Sequence, residues 1–397
     1  MHITQLARRQ ASAIRLDEAG ILSWLHFGDL HITEAHEQNY QDFVALVAHA
    51  NHHLAGRVSF AVLPGDNVDS GSEDEYQLVK PIVDRLAIPL YAIPGDHDMK
   101  TGSLDLFRAY LEPEPVQSFV SGPYRCVFLN SLNSGDRKRF GFGQVQTVWL
   151  RSELEAATRQ RQRAVLFMHT YPSELGGSAA EVTALVRQHR VLMVDMGHTH
   201  YNEIANDGQT IYATTRSTGQ VEEGPVGFSV VNLDNGVVSW KFNPRGDAPL
   251  VMITSPADEA FIVDATRKDQ LVAGTVDIRT KVFDHARVVA ATCSIDDGLP
   301  LRMSPIGTGP VWHCPWETSM VADGVHHLTV QMETLDGRRG TDVIRVRTSQ
   351  SGHFAPPLRK SGDDANAIGT WPEKGILGTQ LGPNRNGRKW PPRGAPK

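Results

Sequence analysis

The sequence predicts an α/β domain over residues 1–246, an all-β sandwich over 247–350 and an irregular tail over 351–397. Three observations carry this. Apolar runs alternate with amphipathic stretches from Ile21 to about Phe242, as in a layered α/β unit. Helical periodicity then stops and period-two alternation replaces it. Beyond Ser351 the chain is rich in Pro, Gly, Asn and basic residues.

In the first unit the strand candidates are Ile21–Phe27, Val58–Leu63, Pro89–Ile93, Arg125–Leu129, Ala164–Met168, Val191–Met196, Thr210–Thr214 and Phe228–Leu233. Ala61-Val62-Leu63 and Val165-Leu166-Phe167 are apolar on both faces, which suits strands buried between layers. The helical stretches are Glu34–Leu54, Glu73–Leu86, Ser103–Leu111, Gln144–Arg161 and Ala179–His189. In the fourth, Val145, Val148, Trp149, Ser152 and Leu154-Glu155 trace one stripe, with Arg and Gln opposite. Asp234-Asn235-Gly236 between Phe228–Leu233 and Val237–Phe242 reads as a hairpin turn.

After Asn243-Pro244-Arg245-Gly246, Val276, Ile278, Thr280 and Val282 alternate with Asp277, Arg279 and Lys281. Leu328, Val330 and Met332 alternate with Thr329, Gln331 and Glu333. Asp-Gly turns recur at 297, 323 and 336, which predicts a sandwich of roughly 100 residues. Trp312 and Trp316 followed by Asp323-Gly324-Val325-His326 and an alternating strand resemble bacterial Ig-like modules. The tail cannot build its own core. It is expected to be a disordered basic segment, or one that docks through Trp371 and Trp390.

Composition is ordinarily globular, with 40% hydrophobic and 21% charged residues. A net charge of −6 offers no basic field for nucleic acid. No apolar run is long enough to span a membrane, and no signal peptide is read, so the expected location is cytoplasmic. The three cysteines, Cys126, Cys293 and Cys314, are expected to be separate buried thiols.

The chemistry lies in five short segments, each placed just after an apolar run. They are Gly28-Asp29-Leu30-His31, Gly65-Asp66-Asn67-Val68-Asp69, Gly95-Asp96-His97-Asp98, Met168-His169 and Gly197-His198-Thr199-His200. Several strands thus end at one sheet edge and each delivers a hard O or N ligand there. Two divalent cations about 3.5–4 Å apart need such a set, with one bridging carboxylate and room for water. A hydroxide held between them is a nucleophile at neutral pH, and a proton donor must serve the leaving group.

These motifs, in this order, resemble the calcineurin-like metallophosphoesterase superfamily over roughly residues 20–245. The resemblance implies an αββα sandwich and a pair of metal ions, Mn, Fe or Zn. It implies that Asp29, His31 and His200 hold the first ion, that Asp66 bridges, and that Asp96, His169 and His198 hold the second. His97 would be the general acid, oriented by Asp98 in a His–carboxylate dyad, while Asp69 fixes its loop. Tyr171 and Tyr201 would rim the pocket. His36, His49, His52, His53, His326 and His327 are assigned no ligand role.

One residue departs from the family pattern. Asp96 stands where the family usually has Asn. The carboxylate keeps an oxygen for metal, loses the N–H₂ donor and adds a negative charge. Asp29, Asp66 and Asp96 then leave one positive charge from two divalent ions, and a bridging hydroxide cancels it. Such a site favours a singly charged phosphodiester over a doubly charged monoester, or a trivalent ion at one position. The expected activity is therefore a phosphodiesterase acting on a small diester, such as a cyclic nucleotide or a lipid head group. Alternatives are a phosphomonoesterase, with Arg137-Lys138-Arg139 contributing a basic groove, and a non-catalytic metal-binding scaffold. The Ig-like unit or the tail could also hold a homo-oligomer together.

Overall fold

The computed structural model describes residues 14–133, 139–207, 209–220, 225–246, 248–262, 270–352 and 379–380. Arg137, Lys138, Trp371 and Trp390 lie outside the described residues, so the groove and docking expectations for them do too.

The first half runs β1 (Leu22–Phe27), α1 (Gln38–His49), β2 (Phe60–Leu63), α2 (Glu73–Val83), β3 (Leu90–Ala92) and α3 (Asp105–Tyr110). It continues through β4 (Gln117–Ser121), β5 (Tyr124–Phe128), β6 (Leu132–Asn133), β7 (Gly141–Phe142), α4 (Gln144–Arg159), β8 (Arg163–Met168) and α5 (Ala179–Gln188). Then come β9 (Met193–Met196), β10 (Glu203–Asn206), β11 (Ile211–Thr214), β12 (Gly227–Asp234) and β13 (Val237–Pro244).

Two sheets result. One has the order β13-β12-β1-β2-β3, and the other places β10-β11-β9-β8-β5-β4 side by side. Strands β1, β2 and β3 are mutually parallel, as are β5, β8, β9 and β11. The core between the sheets is aromatic. Trp24 stacks on Phe60 at 5.7 Å and meets Phe167 edge-on at 5.4 Å, while Phe128 stacks on Phe167 at 4.5 Å. Truncating Trp24 to Ala should cost about 3–5 kcal/mol.

The outer faces carry the helices. Phe43, Leu46 and Val47 of α1 and Val79 and Ile82 of α2 pack on Leu25, Phe27, Ala61 and Leu63 of one sheet. Leu150 and Leu154 of α4 and Val182 and Leu185 of α5 cover Val127, Leu166 and Val194 of the other. This is the expected helix–sheet–sheet–helix layering.

The helix α2 starts on a capping box, with Ser72 accepting from Glu75 N–H and Glu75 reaching back. The β12–β13 hairpin closes on Asn235 and Gly236, both left-handed (φ 50° and 86°), as a two-residue turn of that sequence requires. Strands β4 and β10 were not foreseen. β4 is a half-exposed edge strand held by pairing with β5, whereas β10 pairs with β11 and with Thr379–Gln380, and its Glu203, Ile204 and Ala205 are buried.

The C-terminal part is all β: β14 (Leu250–Ser255), β15 (Thr275–Phe283), β16 (Val288–Ile295), β17 (Leu301–Arg302), β18 (Ser304–Pro305), β19 (Val311–Glu317), β20 (Gly324–Thr334) and β21 (Arg339–Thr348). They form two four-stranded sheets, β14-β15-β19-β18 and β17-β16-β20-β21. Ile278, Trp316, Leu328, Val330 and Val346 share the core between them. Cys126, Cys293 and Cys314 are buried and free. Cys293 and Cys314 are neighbours, however, and burial and that neighbour push the Cys293 thiol up to about 12. In the tail, Thr379–Gln380 (β22) pair with β10. Among the described residues no helix is long and apolar enough to cross a membrane.

Candidate metal centre

The five motifs meet because the parallel strands of both sheets, not of one as expected, end on the same side of the sandwich. Asp29 follows β1, Asp66 follows β2, Asp96 follows β3, His169 follows β8 and His198 follows β9. Open α/β sheets place their sites at this carboxyl edge. A buried link ties β1 of one sheet to β9 of the other. Trp24 Nε1 donates to Asp195 Oδ2 at 2.6 Å, and His26 Nδ1 lies 2.6 Å from Asp195 Oδ1.

The turns that aim the side chains are strained. His31, Asp66, His198 and His200 all have left-handed backbones (φ 44°, 50°, 69° and 65°), which L-residues with side chains seldom adopt. Glycine is needed for close approach. A Cβ on Gly95 would collide with the Asp66 carboxylate and backbone, and one on Gly197 with Asp29 Oδ1.

Two four-residue clusters result, and they share Asp66. Asp29, His31, Asp66 and His200 bring one ligand atom each within 4.8 Å of one another, and so do Asp66, Asp96, His169 and His198. In the first, His31 Nε2 and His200 Nε2 are 3.0 Å apart. His31 Nε2 is 3.6 Å from Asp66 Oδ2, and His200 Nε2 is 3.6 Å from Asp29 Oδ2. In the second, His169 Nε2 stands 3.5 Å from Asp66 Oδ2 and 3.4 Å from Asp96 Oδ1, and His198 Nδ1 is 3.6 Å from Asp96 Oδ1.

His169 gives its other nitrogen, Nδ1, to Pro64 O at 2.8 Å, so the ring is oriented with Nε2 facing the cluster. Among the described residues, the buried atoms His169 Nε2, Asp29 Oδ1 and Asp96 Oδ1 have no hydrogen-bond partner. Buried oxygens and imidazole nitrogens left without donors or acceptors, converging from two sides of a shared carboxylate, fit a pair of divalent cations.

Sequence comparison agrees. Residues 22–202 match the family described as calcineurin-like phosphoesterase. Over that stretch the chain is similar to this family. Glycerophosphodiester phosphodiesterase GpdQ of Enterobacter lignolyticus is 28% identical over 182 residues, covering 42% of this chain and 64% of that protein. A probable glycerophosphodiester phosphodiesterase GpdQ of Arcobacter nitrofigilis is 27% identical over 169 residues, covering 39% of this chain and 60% of its own length. The chain thus spans under two thirds of the length of these relatives. A solved dimetal phosphatase from Danio rerio aligns with a TM-score of 0.49 and 14% identity, over 57% of this chain and 97% of that one.

The electrostatics of this site are set by burial against crowding of like charge. Burial raises the Asp29 carboxyl to about 7, with Asp66 adding to the rise and His169 opposing it. Burial also raises Asp66, but His169 outweighs it and holds that carboxyl at about 2. Asp96 likewise lies well below the usual range, because His169 and His198 outweigh its burial. Burial lowers His31 to about 4 and His200, with His31 beside it, to about 3. Both imidazoles are therefore neutral near pH 7, the form that can donate a lone pair to a metal. His169 is raised despite its burial, by Asp66, Asp96 and Asp29. A cation held there would take the place of that proton.

One sequence expectation is corrected. Asp98 does not orient His97. The 3₁₀ turn His97–Met99 sends the two side chains apart. Asp98 is 1% exposed and accepts from Asn67 N–H (3.2 Å), Asn67 Nδ2 (2.9 Å), Gly95 N–H (2.9 Å) and Tyr76 Oη (2.8 Å). It braces two of the motif loops against each other. His97 instead turns Nδ1 to Asp69, 2.8 Å from the carbonyl and 3.0 Å from Oδ1.

The expected rim tyrosines are buried too. Tyr171 is 1% exposed with its hydroxyl donating to Glu203, and Tyr201 is 5% exposed. Residues not foreseen do reach the centre. Phe140 sets its ring 4.9 Å from that of His198, Lys100 Nζ is 2.7 Å from His97 Nδ1, and Gln220 Nε2 is 3.3 Å from His31 Nδ1. None of the three belongs to a motif, and only Lys100, three residues past His97, had a sequence signal.

Proposed function

We propose that this chain is a binuclear-metal-dependent phosphodiesterase. The observation that carries it is the sharing of Asp66 by two four-residue clusters. Asp29, His31 and His200 would complete one ion's set, and Asp96, His169 and His198 the other's. When bound, such a pair supplies a water acidified to near-neutral pKa and positive charge for the phosphate oxygens. The residues of the chain then have distinct tasks. Asp66 fixes the spacing of the two halves. Asp69 holds the Nδ1 side of His97, which leaves Nε2 to give a proton to the departing alcohol. Lys100 adds a cation beside an anionic substrate. Phe140 walls one side and excludes water from His198.

Two observations favour a diester over a monoester. Asp96 adds a third carboxylate to the centre and so lowers its positive charge. The names of the relatives, glycerophosphodiester phosphodiesterases, point the same way. A small diester with an alcohol head group is the substrate class this supports. The two C-terminal sheets fit an Ig-like sandwich, with domain boundaries near residues 246 and 350 and the tail beyond.

The test is metal analysis of the purified protein, followed by turnover of bis-p-nitrophenyl phosphate and p-nitrophenyl phosphate with added Mn²⁺. Two ions per chain at this centre and a diester preference are expected. No turnover of either ester with any divalent metal sinks the hydrolase assignment.

A further inference from the structure

A second group of imidazoles lies apart from the Asp66 centre, where the phosphoesterase layer meets the C-terminal sheets. His52 and His53 sit on a π-helical turn, Ala50–Leu54, that continues α1. Ala55 N–H closes it on Ala50 O at 3.0 Å. Such turns are rare and concentrate at functional positions. His285 lies on the turn between β15 and β16, more than two hundred residues away in sequence. The rings are in mutual contact. Centroids are 4.1 Å apart for His52 and His285, 4.5 Å for His52 and His53, and 5.2 Å for His53 and His285.

One nitrogen of each ring falls within 4.8 Å of the others. His285 Nδ1 and His53 Nδ1 are 3.4 Å apart. Two nitrogens bound to a tetrahedral ion at about 2.0–2.1 Å stand roughly 3.3–3.4 Å from each other. The rings are also held in place. Both approach the Asp284 carboxylate, His53 Nδ1 at 3.0 Å and His285 Nδ1 at 3.4 Å. That carboxylate is fully buried and clamped by two nitrogens of Arg338, at 2.7 and 2.8 Å. It stands beside the same two Nδ1 atoms and so fixes where they sit.

We propose that His52, His53 and His285 form a separate cation site for a borderline transition ion such as Zn²⁺. Its all-imidazole donor set suits Zn²⁺, Cu²⁺ or Ni²⁺ and not Mg²⁺ or Ca²⁺, which take oxygen ligands. His52 and His285 face solvent, so an ion enters directly and keeps an open position. Its effect is to join the end of α1 to the β15–β16 turn.

The experiment is equilibrium dialysis of the full chain against Zn²⁺, with metal counted per chain. Wild type is compared with His285→Ala and His52→Ala, two exposed positions outside the phosphoesterase centre. His36→Ala, an exposed histidine elsewhere, is the control. Both cluster variants should bind one equivalent fewer than wild type, keep wild-type thermal midpoints in metal-free buffer and retain bis-p-nitrophenyl phosphate turnover. The control should match wild type, and Mg²⁺ should show no difference among the four. Equal Zn²⁺ counts in wild type and His285→Ala overturn the site. The same loss in His36→Ala overturns it too, because the count would then report scattered surface imidazoles.

Discussion

The backbone N–H of His97 donates to Asp66 Oδ1 at 2.9 Å. The loop after β3 therefore holds the carboxylate that the loop after β2 presents to both clusters. Oδ1 is occupied by this bond, and Oδ2 faces His31 and His169. Replacing Asp66 with Ala should remove both ions together, and diester turnover should fall by roughly 10³-fold or more. Metal analysis beside kinetics checks it. Retention of one full equivalent at this centre would show that the two ions do not depend on a common residue.

The corrected placement of Asp98 separates catalysis from support. His97→Ala should lower turnover by about 10²–10³-fold for an alkyl diester, whose alkoxide needs a proton. It should lower it much less for a p-nitrophenyl ester, whose leaving group needs none. Asp69→Ala should show the same leaving-group dependence in weaker form, because it removes the Oδ1 contact to His97 and keeps the carbonyl one. Asp98→Ala should instead lower the thermal midpoint, since it strands four buried donors, at about 1–3 kcal/mol for each one left unpaired. A leaving-group effect in Asp98→Ala with an unchanged midpoint would restore the His97–Asp98 dyad.

Asp98 turns away from His97 for a reason that no motif carries. The order of motifs and the strand–turn–ligand pattern are local properties, so Asp29, Asp66, Asp96, His169 and His198 could be placed after strands from sequence, but not their division between two sheets. The direction of a side chain within a tight 3₁₀ turn is not local. It depends on Tyr76 and Asn67, which come from α2 and the β2 loop. Most strands buried on both faces were legible for the same reason; the half-exposed edge strand β4 and the short β10, where the buried Glu203 breaks the apolar run, were not. Phe140 and the His52–His53–His285 group are joined only by tertiary packing. A histidine pair at a helix end carries no sign of a third imidazole from another sheet.

Asp96 gives a prediction about specificity. Its Oδ1 lies between His169 and His198, at 3.4 and 3.6 Å, as a carboxylate and not an amide. Asp96→Asn keeps an oxygen there and removes one negative charge. The ratio of diester to monoester kcat/KM should fall by about tenfold, the equivalent of roughly 1.4 kcal/mol of differential stabilisation. Measuring both esters on both proteins decides it. An unchanged ratio would mean that charge at this position does not select the substrate.

Asp284 and Arg338 set how the two parts of the chain respond to acid. The Asp284 side chain is fully buried and that of Arg338 is 32% exposed. Burial raises the Asp284 carboxyl, but Arg338, Ala286 N–H and His53 outweigh it and leave it below its usual 3.8. A carboxylate whose folded pKa is depressed contributes stability that is present above the unfolded value and lost as pH falls through the folded one. Arg338→Ala leaves that carboxylate buried with one strong partner gone. It should cost about 2 kcal/mol at pH 7, less than a fully buried pair because Arg338 is partly solvated. The difference between wild type and variant should hold down to about pH 4 and shrink below it, as Asp284 takes up its proton. Denaturant midpoints at pH 7, 5 and 3 read this directly. A gap of constant size across that range would assign the loss to packing of the Arg338 side chain and not to its charge.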